Sequence, residues 1–111
     1  MEKLTQYRSI AREVIDEYAR YKPSSEQSDM SAVYDLDRDH YLLVSFGWNG
    51  DRRVYSTILH LRIFEGKLWI ERDETEEGVT QDLLDRGVFQ KDIVLAFYHY
   101  EDRKLTDFAI A

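Results

Sequence analysis

The fold of this 111-residue chain is decided by one stretch, YLLVSFGWNGDRRVYSTILHLRIFEGKLWIER, which runs from Tyr41 to Arg72. Apolar and polar residues alternate along most of it with a period of two, which is typical of β-strands with one buried face. The alternation stops at Asn49-Gly50-Asp51, which predicts a tight turn because Asn and Gly tolerate positive φ. Glu65-Gly66 predicts a second turn. Connections this short join antiparallel neighbours, so the stretch predicts three consecutive antiparallel strands.

The same period continues on the N-terminal side of this stretch. Ala32, Tyr34 and Leu36 alternate with their neighbours and predict a further strand. The residues from Asp37 to His40 predict the turn that follows it. The predicted four-strand meander therefore comprises residues 32–36, 41–48, 52–64 and 67–72.

The N-terminal segment follows a different period. Apolar residues recur at steps of three and four from Leu4 to Tyr21, which predicts one amphipathic helix with a single apolar stripe. Pro23 cannot continue a helix because it lacks the backbone N–H, so the helix must end before it. The polar residues from Ser24 to Asp29 predict a connector to the sheet.

The C-terminal third adds shorter elements. The residues from Glu71 to Glu77 are mostly acidic, and Gly78 to Arg86 predicts a short helix that Gly87 ends. The continuous apolar run from Ile93 to Tyr98 predicts a buried strand, and Phe108 to Ala111 could add an edge strand. The predicted fold class is α+β: the N-terminal helix and the short second helix pack on one face of a twisted antiparallel sheet, a four-strand meander plus one or two C-terminal strands.

Composition disfavours several functions. The chain has 22 acidic residues against 15 lysines and arginines, and its net charge of −7 disfavours general nucleic-acid binding and contact with anionic membranes. The charge serves solubility in the simplest interpretation, and a basic protein partner is also compatible with it. There is no cysteine for a disulfide or a thiolate site. With no signal-like or long apolar segment, we expect a cytoplasmic protein without membrane contact.

The histidines do not predict a reactive site. His40, His60 and His99 lie on different predicted elements and match no metal-binding or catalytic spacing. We expect His40 to be solvated in a turn and His60 to be half-buried and hydrogen-bonded in mid-strand. No nucleophile elbow or phosphate-binding glycine loop occurs either. We therefore predict no catalytic, cofactor-binding or metal-binding residue.

Two acidic patterns have a chemical and a structural interpretation. Glu65-x-Lys67 matches a fragment of divalent-metal nuclease sites, but a charged hairpin tip explains it more simply. The acidic run from Glu71 to Glu77 could offer oxygens to Mg²⁺ or Ca²⁺, but it lacks the spacing of a calcium loop. We interpret it as a solvated connector, in which Asp73 and Thr75 form a turn or a cap.

Five segments together carry a family resemblance. In chain order they are FGWNGDRRVYSTILHLRI, GKLWIERDETEEG, LLDRGV, KDIVLAF and RKLTDFAIA, which begin at Phe46 and end at Ala111. This ordered set resembles the XisI family, the fdxN-element excision controlling factors. The resemblance extends over nearly the whole chain and implies a single XisI-like domain that spans residues 1–111.

The resemblance also implies a function. The family takes part in programmed excision of a DNA element in filamentous cyanobacteria, beside a recombinase and a second small factor, XisH, which resembles endonuclease-type proteins. The resemblance therefore implies that this chain is a non-enzymatic regulatory protein that binds an XisH-like partner. Two alternatives stay open: a metal-dependent enzyme that acts on DNA, and direct DNA binding by a local patch around Arg52, Arg53 and Arg103.

The sequence also indicates where a partner would bind. If there is a partner-facing surface, we expect it at Trp48, Arg53, His99 and Arg103, because tryptophan is enriched at binding hot spots. The sequence is also compatible with Trp48 in the core, which is the simpler interpretation. We also expect a homodimer, since the edges of the meander must be covered and two-fold pairing is the commonest way to do so. Direct nucleic-acid contact is not expected.

Overall fold

The computed structural model describes residues 2–20 and 28–111. The predicted end of the first helix at residues 21–23 and most of the predicted connector lie outside the described residues. The elements are, in chain order, α1 (Glu2–Arg20), β1 (Asp29–Asp35), β2 (His40–Asn49), β3 (Arg52–Phe64), β4 (Lys67–Asp73), α2 (Thr80–Asp85), a 3-10 turn (Gln90–Asp92), β5 (Ile93–Leu95) and α3 (Tyr100–Arg103).

The five strands form one sheet in the order β1-β2-β3-β4-β5, and the first four pair antiparallel as a meander. This confirms the predicted architecture. Both predicted hairpin turns are present, and each places its glycine at positive φ, 67° at Gly50 and 79° at Gly66. A side chain at either position would be strained in this backbone conformation, which explains why glycine is present there.

The last strand differs from the prediction in direction and length. β5 pairs in parallel with β4, whereas the sequence predicted a wholly antiparallel sheet. The connection that contains α2 is long enough for a parallel crossover. β5 ends at Leu95 and not at Tyr98, because the Tyr98 N–H donates to the Leu95 carbonyl and turns the chain. The optional last strand is reduced to a single bridge between Val94 and Ala109.

The core lies between α1 and one face of the sheet. The apolar stripe of α1 is buried as its period predicts, at Tyr7, Ile10, Ala11, Val14 and Ile15. Opposite it, alternate strand residues are buried, which follows from the pleat of a strand. The buried apolar residues of β2, β3 and β4 are Tyr41, Leu43, Leu59, Leu61, Ile63, Leu68 and Ile70. α2 adds Leu83 to the same cluster, so both predicted helices contribute to one core.

Several polar contacts join α1 to the sheet and its loops, and two of them reach the β1–β2 turn and the segment before β5. Arg8 donates two hydrogen bonds to the Asp39 carboxylate, at 2.9 and 3.1 Å. These bonds and the Tyr41 hydroxyl hold the pKa of Asp39 below its usual value. At the other contact, the buried Tyr7 hydroxyl donates to Asp92 at 2.7 Å and accepts from the Phe89 N–H at 3.2 Å. Helix and sheet are therefore joined by hydrogen bonds as well as by apolar packing.

Candidate interaction surface

The two faces of the sheet differ in their surroundings. α1 packs against one face, and the residues between the core positions of each strand point to the opposite face, which we call the open face. Large side chains stay exposed there. They are Val33 (46%), Phe46 (36%), Trp48 (55%), Tyr55 (72%) and Phe64 (45%).

One aromatic cluster lies near the β2–β3 turn. Trp48 pairs with Arg53 and Phe46 pairs with Tyr55, so all four side chains share the open face. The Arg53 guanidinium lies 5.6 Å from the centre of the Trp48 ring and 5.9 Å from that of Tyr55. Its Nη1 also donates to the Gly47 carbonyl at 3.3 Å, which holds the cation between the two rings. The structure thus brings together two of the four predicted surface residues.

Phe46 and Tyr55 were missed by the sequence reasoning. Their signal was present in the alternation on both sides of the Asn49-Gly50 turn, since a two-residue hairpin loop fixes which residues face each other. The register then places aromatic residues beside Trp48 and Arg53. What the alternation does not reveal is which of the two faces the helices cover.

A second cluster surrounds Trp69 at the other end of β3. The Arg62 guanidinium lies 4.8 Å from the ring centres of both Phe64 and Trp69, and it is also paired with Glu71. Arg103 approaches the Trp69 ring at 5.5 Å. Arginine side chains lie over aromatic rings at both ends of the open face, so cation–π interactions stabilise the positions of its aromatic side chains.

Arg103 and His99 have structural contacts in the C-terminal segment. Arg103 donates to the carbonyls of Ala96, Tyr98 and Ile110 at 3.0 to 3.2 Å, which joins the end of the chain to the turn after β5. The exposed His99 is the N-cap of α3, where its Nδ1 accepts from the Glu101 N–H at 3.2 Å. These two residues are positioned by the C-terminal segment, apart from the Trp48 cluster.

His40 and His60 meet, contrary to the expectation from sequence. His40 opens β2 and is half-buried, so the expectation of a solvated turn residue is wrong. Its Nδ1 lies 2.9 Å from Nε2 of His60, which is hydrogen-bonded in mid-strand as predicted. Burial, and secondarily the His40 charge, lower the pKa of His60. In the described ranges no group of three or more side chains is placed to hold a metal ion.

The negative charge is concentrated elsewhere on the molecule. Residues 71–86 contain seven acidic and two basic residues, so this acidic segment carries −5 of the net charge of −7. Asp73 holds its loop in place by accepting from the N–H groups of Thr75 at 3.0 Å and Val79 at 2.7 Å, as predicted for this pair. Four of the acidic side chains remain exposed: Glu74, Glu76, Glu77 and Asp85. No described helix has the length and apolarity to cross a membrane.

The fold and the open face define a class, the small α+β proteins in which helices cover one face of a sheet and leave aromatic residues on the other. Within that class the chain belongs to the XisI family, because the family model described as XisI protein matches residues 1–110.

Solved structures agree with this assignment. The chain is 40% identical to the fdxN element excision controlling factor XisI from Anabaena variabilis ATCC 29413, with a TM-score of 0.84 and coverage of 98% of this chain and 99% of that one. A XisI-like protein from the same organism is 29% identical, with a TM-score of 0.91 and coverage of 97% and 99%. A comparison with curated proteins finds no match.

Proposed function

We propose that this protein is a non-enzymatic regulatory factor that binds an XisH-like, endonuclease-type partner during excision of a DNA element. The relative that shares 40% of its residues is called an excision controlling factor, which supports this context. The observation that carries the proposal is the exposed Trp48–Arg53–Tyr55 cluster on the open face.

This cluster has the composition of a binding hot spot. Trp, Tyr and Arg contribute most of the free energy in typical interfaces, and they do so when a partner removes them from water. Trp48 is 55% and Tyr55 is 72% exposed, so most of their apolar surface is available for burial. Full burial of a large apolar side chain contributes roughly 1.5–3 kcal/mol, so two such residues can anchor a complex.

The charge distribution favours a basic partner. The acidic segment concentrates negative charge in one region, and complementary charges accelerate encounter and fix orientation. Nucleases carry basic surfaces where they contact DNA phosphates. An acidic protein that covers such a surface would control access of the partner to DNA.

The ionisable side chains whose pKa values are shifted form hydrogen bonds with neighbouring residues of the fold, which also favours a binding role over a catalytic one. Asp39 is paired with Arg8, and His60 is paired with His40. Glu65 lies in the tight β3–β4 turn and Lys67 is the first residue of β4, which fits the interpretation as a charged hairpin tip.

The test is co-purification with the cognate XisH-like protein at low and high salt. We expect association that weakens as the salt concentration increases, because salt screens the attraction between the acidic segment and a basic partner. Trp48→Ala and Tyr55→Ala should each weaken binding by roughly tenfold or more, as hot-spot residues do. Tyr100→Ala is the matched control, since Tyr100 is 48% exposed but lies on α3. Absence of association at every salt concentration would refute the proposal.

Direct binding of single-stranded nucleic acid is a second candidate. The observation that favours it is the cation between two exposed rings, because aromatic side chains and arginine on an open sheet provide a platform on which bases stack. Fluorescence anisotropy with labelled single-stranded DNA would test it. Binding that falls steeply with salt and is lost in Arg53→Ala would favour this candidate over protein binding.

A further inference from the structure

β3 has an edge that its neighbour does not cover. β4 pairs only with Leu59 to Phe64, so residues 52–58 have no strand opposite β2 within the part of the chain that the structure describes. At the inner end of this edge, Arg72 Nε donates to the Thr57 carbonyl and the Glu74 N–H donates to the Ile58 carbonyl, both at 2.8 Å. Among the described residues, the edge without a strand partner therefore runs from residue 52 to residue 56.

The direction of the backbone groups follows from these contacts. In an antiparallel strand the N–H and C=O groups of successive residues point alternately to the two sides. The alternation is interrupted by a β-bulge at Ile58, whose carbonyl points to the same side as that of Thr57, but the pairing with β2 is regular from Thr57 back to Arg52. Because the Thr57 carbonyl points away from β2 towards Arg72, the backbone groups of Tyr55 and Arg53 point the same way. Tyr55 is 72% exposed, so the edge is accessible as well as unpaired. Such an edge is a template for another strand.

We propose that this edge pairs with the same edge of a second copy of the chain, antiparallel and about a two-fold axis at Val54. The proposal goes beyond binding to an XisH-like protein and does not depend on it, because it concerns the chain alone. The segment contains no proline, which would remove a backbone donor from the pairing.

The chemistry of the edge selects this register. One two-fold register places Arg53 opposite Arg53, which sets like charges against each other. Another places Arg53 opposite Thr57, whose carbonyl already accepts from Arg72. The third places Arg53 opposite Tyr55 of the second copy and avoids both difficulties. There, each Arg53 cation meets the aromatic ring of the other copy on the open face, the contact it already makes within its own chain.

The ends of the paired segment are compatible with this register. In this register, Ser56 faces Arg52 of the second copy, so no two like charges face each other between residues 52 and 56. The pairing also joins the two open faces into one aromatic surface, which leaves the Trp48 side of each copy available.

Disulfide trapping tests the register directly, because the natural chain has no cysteine. The backbone groups of Val54 point to β2, so Val54 faces its counterpart as a non-hydrogen-bonded pair, with Cα atoms about 4.5 Å apart. That separation is within the range a disulfide bridges. Val54→Cys should form a covalent dimer under mild oxidation roughly a hundredfold faster than Val33→Cys, since paired cysteines have millimolar effective concentration. Val33 is an exposed valine on the edge strand β1, whereas Val54 is half-buried, so Val33→Cys measures the cross-linking of a more accessible thiol that has no predicted partner.

Light scattering on the natural chain provides the second measurement. We expect a dimer whose fraction rises with concentration, and Tyr55→Lys should abolish it by placing a cation opposite Arg53. Tyr100→Lys is the control and should leave the dimer intact, and circular dichroism should show both variants folded. A monomer at the highest concentration overturns the proposal. So does a dimer that persists in Tyr55→Lys, or equal cross-linking of the two cysteine variants. Binding of an XisH-like protein is measured separately, so the two proposals fail independently.

Discussion

The covered and open faces of the sheet use different residues for different purposes. Leu43, Leu59 and Leu61 on the covered face are almost fully buried aliphatic residues beneath α1. Trp48 and Tyr55 on the open face are exposed, and each lies beside the guanidinium of Arg53. Aliphatic side chains have no polar group that can interact with water. Trp and Tyr do have one, and a neighbouring cation interacts favourably with their rings, so they can stay exposed and still be buried when a partner binds.

The difference indicates which face stabilises the fold and which one is available for binding. The covered face gains its free energy on folding, because its apolar surface leaves water at that step. The open face keeps most of its apolar surface in contact with water until a partner arrives. Mutations on the two faces should therefore affect different measurements, and the expected effects follow in order of size.

The largest expected difference is between two residues of the same strand, β3. Leu61→Ala should lower the free energy of unfolding by about 2–5 kcal/mol, because Leu61 is completely buried and its truncation leaves a cavity. Tyr55→Ala should change it by less than about 0.5 kcal/mol, as is usual for exposed positions. Urea unfolding followed by circular dichroism measures both. Equal losses would mean that the open face contributes to folding as much as the core does.

A smaller effect is expected where the covered face is polar. Tyr7→Phe should lower the free energy of unfolding by about 1–2 kcal/mol, since it removes a buried hydroxyl that donates to Asp92 and accepts from Phe89. Burial raises the pKa of Tyr7 to about 12, so the hydroxyl keeps its proton at neutral pH. Tyr100→Phe on exposed α3 is the control and should have no effect. A stability unchanged by Tyr7→Phe would show that water replaces the hydroxyl without loss.

Local signals explain how much of the fold could be predicted. The Asn49-Gly50 and Glu65-Gly66 turns lie within the hairpins they close, so sequence alone predicted the meander and the bounds of β3. The direction of β5 could not be predicted in this way. It depends on where the connection through α2 places the chain, and that placement is decided by packing against α1.

The candidate site was only partly predictable for a related reason. Trp48 and Arg53 are neighbours across one turn, and residue type made both candidates for a partner-facing surface, although a core position for Trp48 was the simpler interpretation. His40 and His60 are 20 residues apart and not directly opposite in the register, so their contact depends on the twist between β2 and β3. The contribution of Tyr55 depends on which face α1 covers, which no short stretch of sequence specifies.

The next prediction concerns the ion pair between α1 and the β1–β2 turn. Asp39→Asn should lower the free energy of unfolding by about 1 kcal/mol near neutral pH, a modest value because Arg8 is 42% exposed and solvent screens the pair. Asn also tolerates the positive φ of 59° at this position, so the change tests charge and not backbone strain. Urea unfolding should show no such loss for Asp37→Asn, the exposed control in the same turn.

The sign of its pH dependence follows from the lowered pKa of Asp39, which has the Arg8 hydrogen bonds as its main cause. The stabilisation is present above the unfolded-state pKa of about 4 and is lost as pH falls through the folded-state value. The natural chain and Asp39→Asn should therefore converge in stability in strong acid. A constant difference between them at all pH values would contradict this origin.

The smallest expected effect lies on the open face, at the His40–His60 pair. Burial and the neighbouring His40 lower the pKa of His60, so the unfolded chain binds this proton more readily than the folded one does. Stability should thus fall as pH decreases from about 6.5 towards the folded-state pKa of His60, with Arg62 opposing protonation and Glu71 favouring it. His60→Gln should flatten this part of the pH profile of unfolding. If unfolding of His60→Gln keeps the full pH dependence, another group takes up the proton. The His40–His60 pair is then not the source of the pH-dependent stability in this range.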